Sequence, residues 1–295
     1  MLCCPPGNGG LQVTLNRTEL LIDGLCFGEG PRWHDGALWL SDMHAREVLR
    51  IGGNGQAETV VRVENCPSGL GWLPDGELLV VSMHDRCLLR YDGEQLHRHA
   101  DLSPFATFHC NDMVVDGEGR AYVGNFGFDL HTGSKPVPAT LVCVEPDGSA
   151  RAVADDLMFP NGTVITPDGS TLIIAESFGA RLTAFDIAAN GDLSNRRVWA
   201  ELPKGAVPDG ICLDSEGGIW SASPTTCECI RQDEGGEITH RVELGQGAFA
   251  CMLGGADGTT LYILTADSSD PAECAANRTG KIEAAAAPYP GTGWP

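Results

Sequence analysis

The sequence lacks both the long apolar runs of membrane proteins and the periodic stretches of long helices. Its 295 residues contain no run of about 18 apolar residues, so we expect no membrane-spanning helix. Stretches rich in Ala, Leu, Glu and Lys with a period of 3.6 residues are missing, which argues against extended helices. The first ten residues have neither a basic start nor an apolar core. We therefore expect a loose tail at residues 1–10 and a cytoplasmic protein.

Positively charged residues are scarce. The chain has 19 Lys and Arg against 40 Asp and Glu, which gives a formal net charge of −21. A field of this sign repels nucleic-acid backbones and anionic lipid headgroups. We therefore expect no nucleic-acid partner and no membrane partner.

Motifs of several common site types are missing as well. There is no G-x-S-x-G for a serine nucleophile and no G-x-G-x-x-G for a dinucleotide, so neither enzyme class is supported. Cys227 and Cys229 form a lone C-x-C without a second pair at the spacing of a zinc site. The twelve cysteines are scattered along the chain, and we interpret them as reduced, small, buried residues.

A repeated unit organises what is present. Its clearest copy, residues 159–169, has an amide side chain, a short apolar run and a Pro-Asp-Gly turn. Five more copies align with it on the last glycine of the turn, and the six glycines are Gly36, Gly76, Gly119, Gly169, Gly217 and Gly258. Units of about 40 to 50 residues with several short strands are typical of propeller blades. The sequence thus predicts an all-β fold, a six-bladed β-propeller that forms a single domain over residues 11–292.

Two further points concern the architecture. The alternating residues 11–15 predict a strand without a turn partner, which we expect to complete the last blade beside residues 280–287. A pair of β-sandwiches is the alternative fold. It is less favoured because sandwich turns recur every 8–12 residues without a longer repeat.

One position of the repeat carries polar side chains in most copies. It lies eight residues before the turn glycine, or seven in the first copy, and holds Glu29, Ser68, Asn111, Asn161, Asp209 and Ala250. Equivalent positions of a propeller form a ring, so the sequence predicts two carboxylates and two amides around one end of a central channel. Such oxygen ligands suit one divalent cation in the channel, Ca²⁺, Mg²⁺ or Mn²⁺, and tolerate Zn²⁺ or Fe²⁺. The alternative is that these residues only serve turns.

Several segments resemble a known family. Residues 26–33, Asn111-Asp112 with Val115-Asp116, residues 159–162 and residues 207–211 are similar to signature segments of the senescence marker protein (regucalcin), gluconolactonase and luciferin-regenerating enzyme family. The resemblance covers roughly residues 15 to 292. It implies a six-bladed propeller with one divalent metal, Ca²⁺ being favoured, and hydrolysis of lactones in many members. The implied metal ligands are Glu29, Asn161 and Asp209.

The resemblance also implies roles in catalysis and substrate binding. Asp209 matches the general acid/base, and Asn111 matches a residue that contacts substrate. Sugar-lactone members have an arginine two residues before that asparagine, where this chain has His109. Asp129 is the only candidate here for an acidic substrate contact expected after the second strand of the third blade.

The sequence therefore predicts a metal-dependent hydrolase that opens a small lactone to its hydroxy acid, as a monomer or small homo-oligomer. The alternatives are a non-catalytic calcium-binding propeller, or a hydratase, isomerase or esterase on the same scaffold. His44 and His84 follow methionines at matching offsets in the first two units, and they either line the entrance or are plain loop residues.

Overall fold

A computed structural model of the chain describes residues 12–15, 17–53, 55–130 and 132–294. Its strands form six sheets, five with four strands and one with five. The innermost strand of each sheet contacts that of the next sheet, and the sixth contacts the first, so the ring is closed. The prediction of a six-bladed β-propeller is confirmed.

The elements follow one another blade by blade. Two strands precede the first inner strand: β1 (Val13–Leu15) and β2 (Glu19–Leu25). Blades one and two contain β3 (Gly28–His34), β4 (Ala37–Asp42), β5 (Glu47–Ile51), β6 (Ala57–Arg62), β7 (Pro67–Trp72), β8 (Leu78–Ser82), β9 (Cys87–Tyr91) and β10 (Leu96–Asp101). Blades three and four contain β11 (Cys110–Val115), β12 (Ala121–Asn125), β13 (Ala139–Val144), β14 (Ala150–Leu157), β15 (Pro160–Ile165), β16 (Thr171–Glu176), β17 (Arg181–Ile187) and β18 (Leu193–Glu201). Blades five and six contain β19 (Ile211–Leu213), β20 (Ile219–Ser223), β21 (Glu228–Gln232), β22 (Ile238–Glu243), β23 (Gly247–Gly254), β24 (Thr260–Ala266) and β25 (Gly280–Ala286).

Helices are few and short. Two 3-10 helices cover Met43–Ala45 and Ser177–Gly179, and α1 (Pro271–Asn277) lies between β24 and β25. Asp270 caps α1 by accepting hydrogen bonds from the backbone N–H groups of Ala272 and Glu273. Within the described residues, no helix has the length and apolar character needed to cross a bilayer.

The turn after each inner strand explains why the Pro-Asp-Gly pattern repeats. All six turn glycines have positive φ angles, between 69° and 90°, a region that residues with a Cβ rarely adopt. In blade four, Gly169 N donates to Thr166 O (2.8 Å), and Asp168 Oδ1 accepts from Ser170 N (3.0 Å). The glycine and the aspartate therefore serve the turn itself, at the end of the strand opposite the predicted ring.

The strand that closes the ring is not the one predicted. β2 pairs antiparallel with β25 and completes blade six, whereas β1 pairs parallel with β22 and adds a fifth strand to blade five. The expectation that residues 11–15 lie beside residues 280–287 was wrong. An alternating pattern indicates a strand with one buried face, but it does not show which neighbouring strand it pairs with. A strand at the outer edge of blade five or of blade six would fit the pattern equally well. Leu11 and the predicted tail at residues 1–10 lie outside the described residues.

The segment after β25 covers one end of the channel. Gly291 forms an isolated bridge with Asp214, and Trp294 forms one with Ile165. Ile165 is the last residue of β15, so this segment lies at the turn ends of the inner strands. The predicted ring residues stand at the opposite ends of the same strands, on the side that is left open.

Glycines let the inner strands of neighbouring blades approach closely at this open side. A Cβ on Gly162 would lie 2.7 Å from Asp209 O and 2.5 Å from Ile211 N. A Cβ on Gly210 would lie 2.6 Å from the Cα of Ala250. The neighbours are backbone atoms that cannot rotate away, so these glycines fix the spacing of the ring.

We expect the Gly162→Ala variant to lose about 1–3 kcal/mol of unfolding free energy, because the added Cβ forces two blades apart. Denaturant unfolding measures the loss. In the control variant Gly245→Ala the added Cβ meets nothing within 4 Å, and we expect a change within about 0.5 kcal/mol. Equal stability of the two variants would contradict the close approach of blades four and five.

Candidate active site

Four of the six predicted ring residues line one cavity of about 700 Å³ on the open side of the channel. We call them the polar floor: Glu29 on β3, Asn111 on β11, Asn161 on β15 and Asp209 just before β19. The other two ring residues, Ser68 and Ala250, are buried and do not belong to the described lining. The repeat therefore brings the predicted ligands and Asn111 into one cavity.

The two carboxylates of the polar floor are shielded from water. Burial raises the pKa of Asp209 to about 8, while a contact with the Asn161 side chain acts in the opposite direction. Burial also raises the pKa of Glu29 well above its ordinary value, and the carboxylates of Asp209 and Asp112 raise it further. Glu29 and Asp209 thus lie close enough to repel each other, a repulsion that a bound cation relieves.

The polar atoms of the floor fit a cation site made of oxygens. Asp209 Oδ1 is buried and has no hydrogen-bond partner among the described residues. The amide nitrogen of Asn161 donates to Ser177 Oγ (3.2 Å) and that of Asn111 to Pro160 O (3.3 Å). Their amide oxygens are therefore the atoms that remain for a ligand. Within the described residues, no group of three His, Cys, Asp or Glu is arranged to hold a metal ion.

A buried ion pair beside the polar floor had no role in the sequence analysis. Arg32 Nη2 donates to Asp112 Oδ1 (2.6 Å) and Arg32 Nε donates to Leu70 O (2.9 Å), so one guanidinium joins the inner strands of three blades. The two side chains are 4% and 8% exposed. Asp112 acts to raise the pKa of Glu29 and of Asp209, and Arg32 acts to lower that of Glu29. Arg32 thus offsets the negative charge of Asp112, the third carboxylate near the polar floor.

We expect the Arg32→Gln variant to lose about 3–5 kcal/mol of unfolding free energy, because a buried carboxylate is left without its cation. Adding Asp112→Asn should recover part of that loss, since the uncompensated charge is then removed. Urea unfolding of the two single variants and the double variant forms a double-mutant cycle. Additive losses in the double variant would show that the two side chains do not depend on each other.

Three histidines line the cavity. The ring of His109, a predicted substrate contact, lies 4.3 Å from that of His84 and 4.0 Å from that of Phe108. The ring of His44 lies 5.3 Å from that of Phe27. Burial lowers the pKa of His84, which favours its neutral form. Of the two alternatives for His44 and His84, the structure supports the lining of the cavity.

Asp129, the other predicted substrate contact, is not among the described residues that line the cavity. In the loop after β12 the lining positions are Phe126 and Leu130 instead. Gly127 has a positive φ of 78°, which turns the chain between them. The distance along the sequence does not show which side chains of this loop face the cavity. Asp129 is therefore a predicted substrate contact that does not belong to the described cavity wall.

The aromatic wall of the cavity escaped the sequence analysis altogether. We call it the aromatic cup, and it consists of Phe27, Phe126, Phe159, Phe178 and Phe249. Ring centroids of Phe126 and Phe159 lie 4.4 Å apart, and those of Phe27 and Phe249 lie 4.7 Å apart. Phe27 and Phe159 each stand two residues before a ring residue, Glu29 and Asn161, so the repeat could have pointed to them. Phe126, Phe178 and Phe249 come from three different blades and share no such position.

A family profile matches most of the chain. The profile of the SMP-30/gluconolactonase/LRE-like region matches residues 27–267. The chain belongs to this family. The matched residues include every predicted ring position from Glu29 to Ala250, and the resemblance inferred from the sequence segments is confirmed.

Known relatives are similar over most of the chain. Regucalcin of Oryctolagus cuniculus is 31% identical over 259 residues, 83% of this chain and 85% of that protein. Pentonolactonase XacC of Haloferax volcanii is 26% identical over 253 residues, 83% and 84% of the two chains. Among solved structures, XC5397 from Xanthomonas campestris, described as a gluconolactonase, has a TM-score of 0.75 at 25% identity, covering 92% of this chain and 90% of that chain.

Proposed function

We propose that the protein is a metal-dependent lactonase that opens a lactone to its hydroxy acid. The observation that carries this proposal is the polar floor, where two buried carboxylates and two amides meet at the base of a cavity whose wall is mostly apolar. Membership in a family whose relatives include a pentonolactonase and a gluconolactonase supports the reaction type.

The proposed cofactor is one divalent cation held by Glu29, Asn161 and Asp209, with Ca²⁺ as the first candidate. The unpartnered Asp209 Oδ1 and the mutual repulsion of the carboxylates support a cation at this place. A solved structure of similar fold, from Agrobacterium tumefaciens, is described as a calcium-binding protein, regucalcin. When bound, the cation would supply Lewis-acid polarisation of the lactone carbonyl.

Residues of the chain would carry out the proton transfers and orient the substrate. Asp209 takes a proton from the attacking water as the water oxygen bonds to the carbonyl carbon, and it returns that proton to the ring oxygen as the ring C–O bond breaks. The position of Asp209 supports this role, because the residue lines the cavity and its Oδ1 has no hydrogen-bond partner among the described residues. Asn111 orients the carbonyl, and His109 contacts the part of the substrate above the floor.

A non-catalytic calcium-binding propeller is the second candidate, because several relatives carry the name regucalcin. Acid release from a panel of γ- and δ-lactones in weak buffer, with and without Ca²⁺, separates the two candidates. We expect metal-dependent acid release, with the hydroxy acid identified by NMR. Calcium binding without acid release from any lactone would favour the second candidate. The domain limits 11–292, the cytoplasmic location and the oligomeric state stay predictions.

A further inference from the structure

The cavity is divided into a polar floor and an apolar wall. The floor offers enough oxygen and amide groups for one ester. Above it, carbon-rich side chains provide most of the lining surface. Besides the aromatic cup, these are Met43, Met83, Leu130, Val207, Pro224 and Pro271.

Apart from the three histidines, the wall offers few partners for hydroxyl groups. A sugar lactone carries hydroxyls on most ring carbons, and each loses hydrogen bonds to water on entering the cavity. No Lys or Arg belongs to the described lining. Of the lining hydroxyls, Ser177 Oγ already donates to Pro208 O (2.7 Å) and Thr225 Oγ1 to Gly205 O (2.7 Å). Apart from the histidines and the polar floor, the remaining polar residues of the lining are Asp267, Ser268 and Ser269. Asp267 is exposed, which places this group at the rim.

Phe178 extends the apolar wall to the surface. Its side chain is 46% exposed, and it is the one aromatic residue among the exposed large hydrophobics of the described ranges. Its ring packs edge-on against Phe128 (5.2 Å, 90°) and lies 5.3 Å from the ring of Phe159. An exposed apolar side chain that continues a cavity wall is typical of a ligand-binding surface.

From this division we propose that the substrate is a lactone with a hydrophobic body, an aryl- or alkyl-substituted lactone, and that polyhydroxylated sugar lactones are poor substrates. The inference rests on the proposed lactonase function, since the polar floor has to take the ester group. The substituent packs against the aromatic cup and displaces water from it. A cavity of about 700 Å³ has room for such a substituent beyond the lactone ring.

Three δ-lactones with the same ring test the substrate class: δ-valerolactone, a phenyl-substituted δ-valerolactone and glucono-δ-lactone. The full chain is assayed with Ca²⁺, and spontaneous hydrolysis is subtracted. We expect kcat/KM for the phenyl-substituted lactone to exceed that for glucono-δ-lactone by at least about tenfold. Equal or faster turnover of glucono-δ-lactone overturns the inference.

Binding of the matching δ-lactams, which are not hydrolysed, separates this inference from the proposed reaction. Calorimetry should show tighter binding of the phenyl-substituted lactam than of the polyhydroxylated lactam. If the protein shows that preference but turns over no lactone, the result would support a ligand with a hydrophobic body and overturn the proposed lactonase function. Lack of the preference would overturn the apolar class even if lactones are hydrolysed.

A variant at the rim tests the aromatic cup itself. Phe178→Ser should lower the ratio of kcat/KM for the phenyl-substituted lactone over δ-valerolactone by about tenfold. Val198, on β18 and 50% exposed, does not belong to the described lining, and Val198→Ser should keep the ratio of the unmodified chain. An unchanged ratio in Phe178→Ser would contradict the role of the cup.

Discussion

The Asp209→Asn variant should lose at least about a thousandfold in lactone turnover while its thermal unfolding stays cooperative. Loss of a general acid/base alone costs about 10²–10⁴ in rate, and this change also removes a proposed ligand. Burial raises the pKa of Asp209 to about 8 because the folded protein disfavours the charged carboxylate. The neutral amide of the variant avoids this unfavourable charge. The metal-free variant should therefore melt at or above the temperature of the metal-free parent at pH 8.

The control for this prediction is Asp257→Asn, a change of the same chemistry at a turn on the opposite side of the propeller. Asp257 Oδ1 accepts a hydrogen bond from Thr259 N and has no place in the described cavity lining. Steady-state kinetics of both variants should show near-normal turnover for Asp257→Asn only. Full activity in Asp209→Asn would remove this residue from the mechanism.

Chelation should abolish turnover and lower the melting temperature, and one divalent ion per chain should restore both. A ligand at about 100 times its Kd stabilises the folded state by about 2.7 kcal/mol, which for a chain of this size corresponds to a rise on the order of 5 °C. The melting curve is a readout of binding that does not depend on the identity of the substrate. Calorimetric melts with and without Ca²⁺ measure the shift.

Two glutamate variants make the metal prediction specific. Glu29→Gln should lose the metal-dependent rise in melting temperature because it removes one of the two buried carboxylates. Glu64→Gln should keep the rise, since Glu64 is 84% exposed and lies outside the described cavity lining. Normal turnover by exhaustively demetallated protein would show that the metal has no catalytic part.

The repeat made the propeller and the polar floor predictable from the sequence. Turn glycines need positive φ angles, so they stay recognisable in every copy and fix the alignment. Counting back from Gly169 and Gly217 reaches Asn161 and Asp209, and both do line the cavity. Backbone geometry that is repeated six times therefore determined the positions of these side chains.

Features outside the repeat could not be found in this way. The closing strand β2 is mostly exposed, so its residues lack a pattern that identifies its partner. The rings of Phe126 and Phe159 meet only because loops of two blades converge, and nothing in their local sequences records that contact. Asp129 does not belong to the described cavity lining, whereas Phe126 and Leu130 on either side of it do. Its contact with a substrate stays a prediction.

Electron density from a crystal grown with Ca²⁺ is the most direct measurement on the central claim, that distant repeats bring Glu29, Asn161 and Asp209 to one cation. The account predicts a single anomalous peak in the channel, about 2.3–2.6 Å from a side-chain oxygen of each of the three residues. A channel without such a peak at saturating Ca²⁺, or a peak bound by other residues, would contradict it.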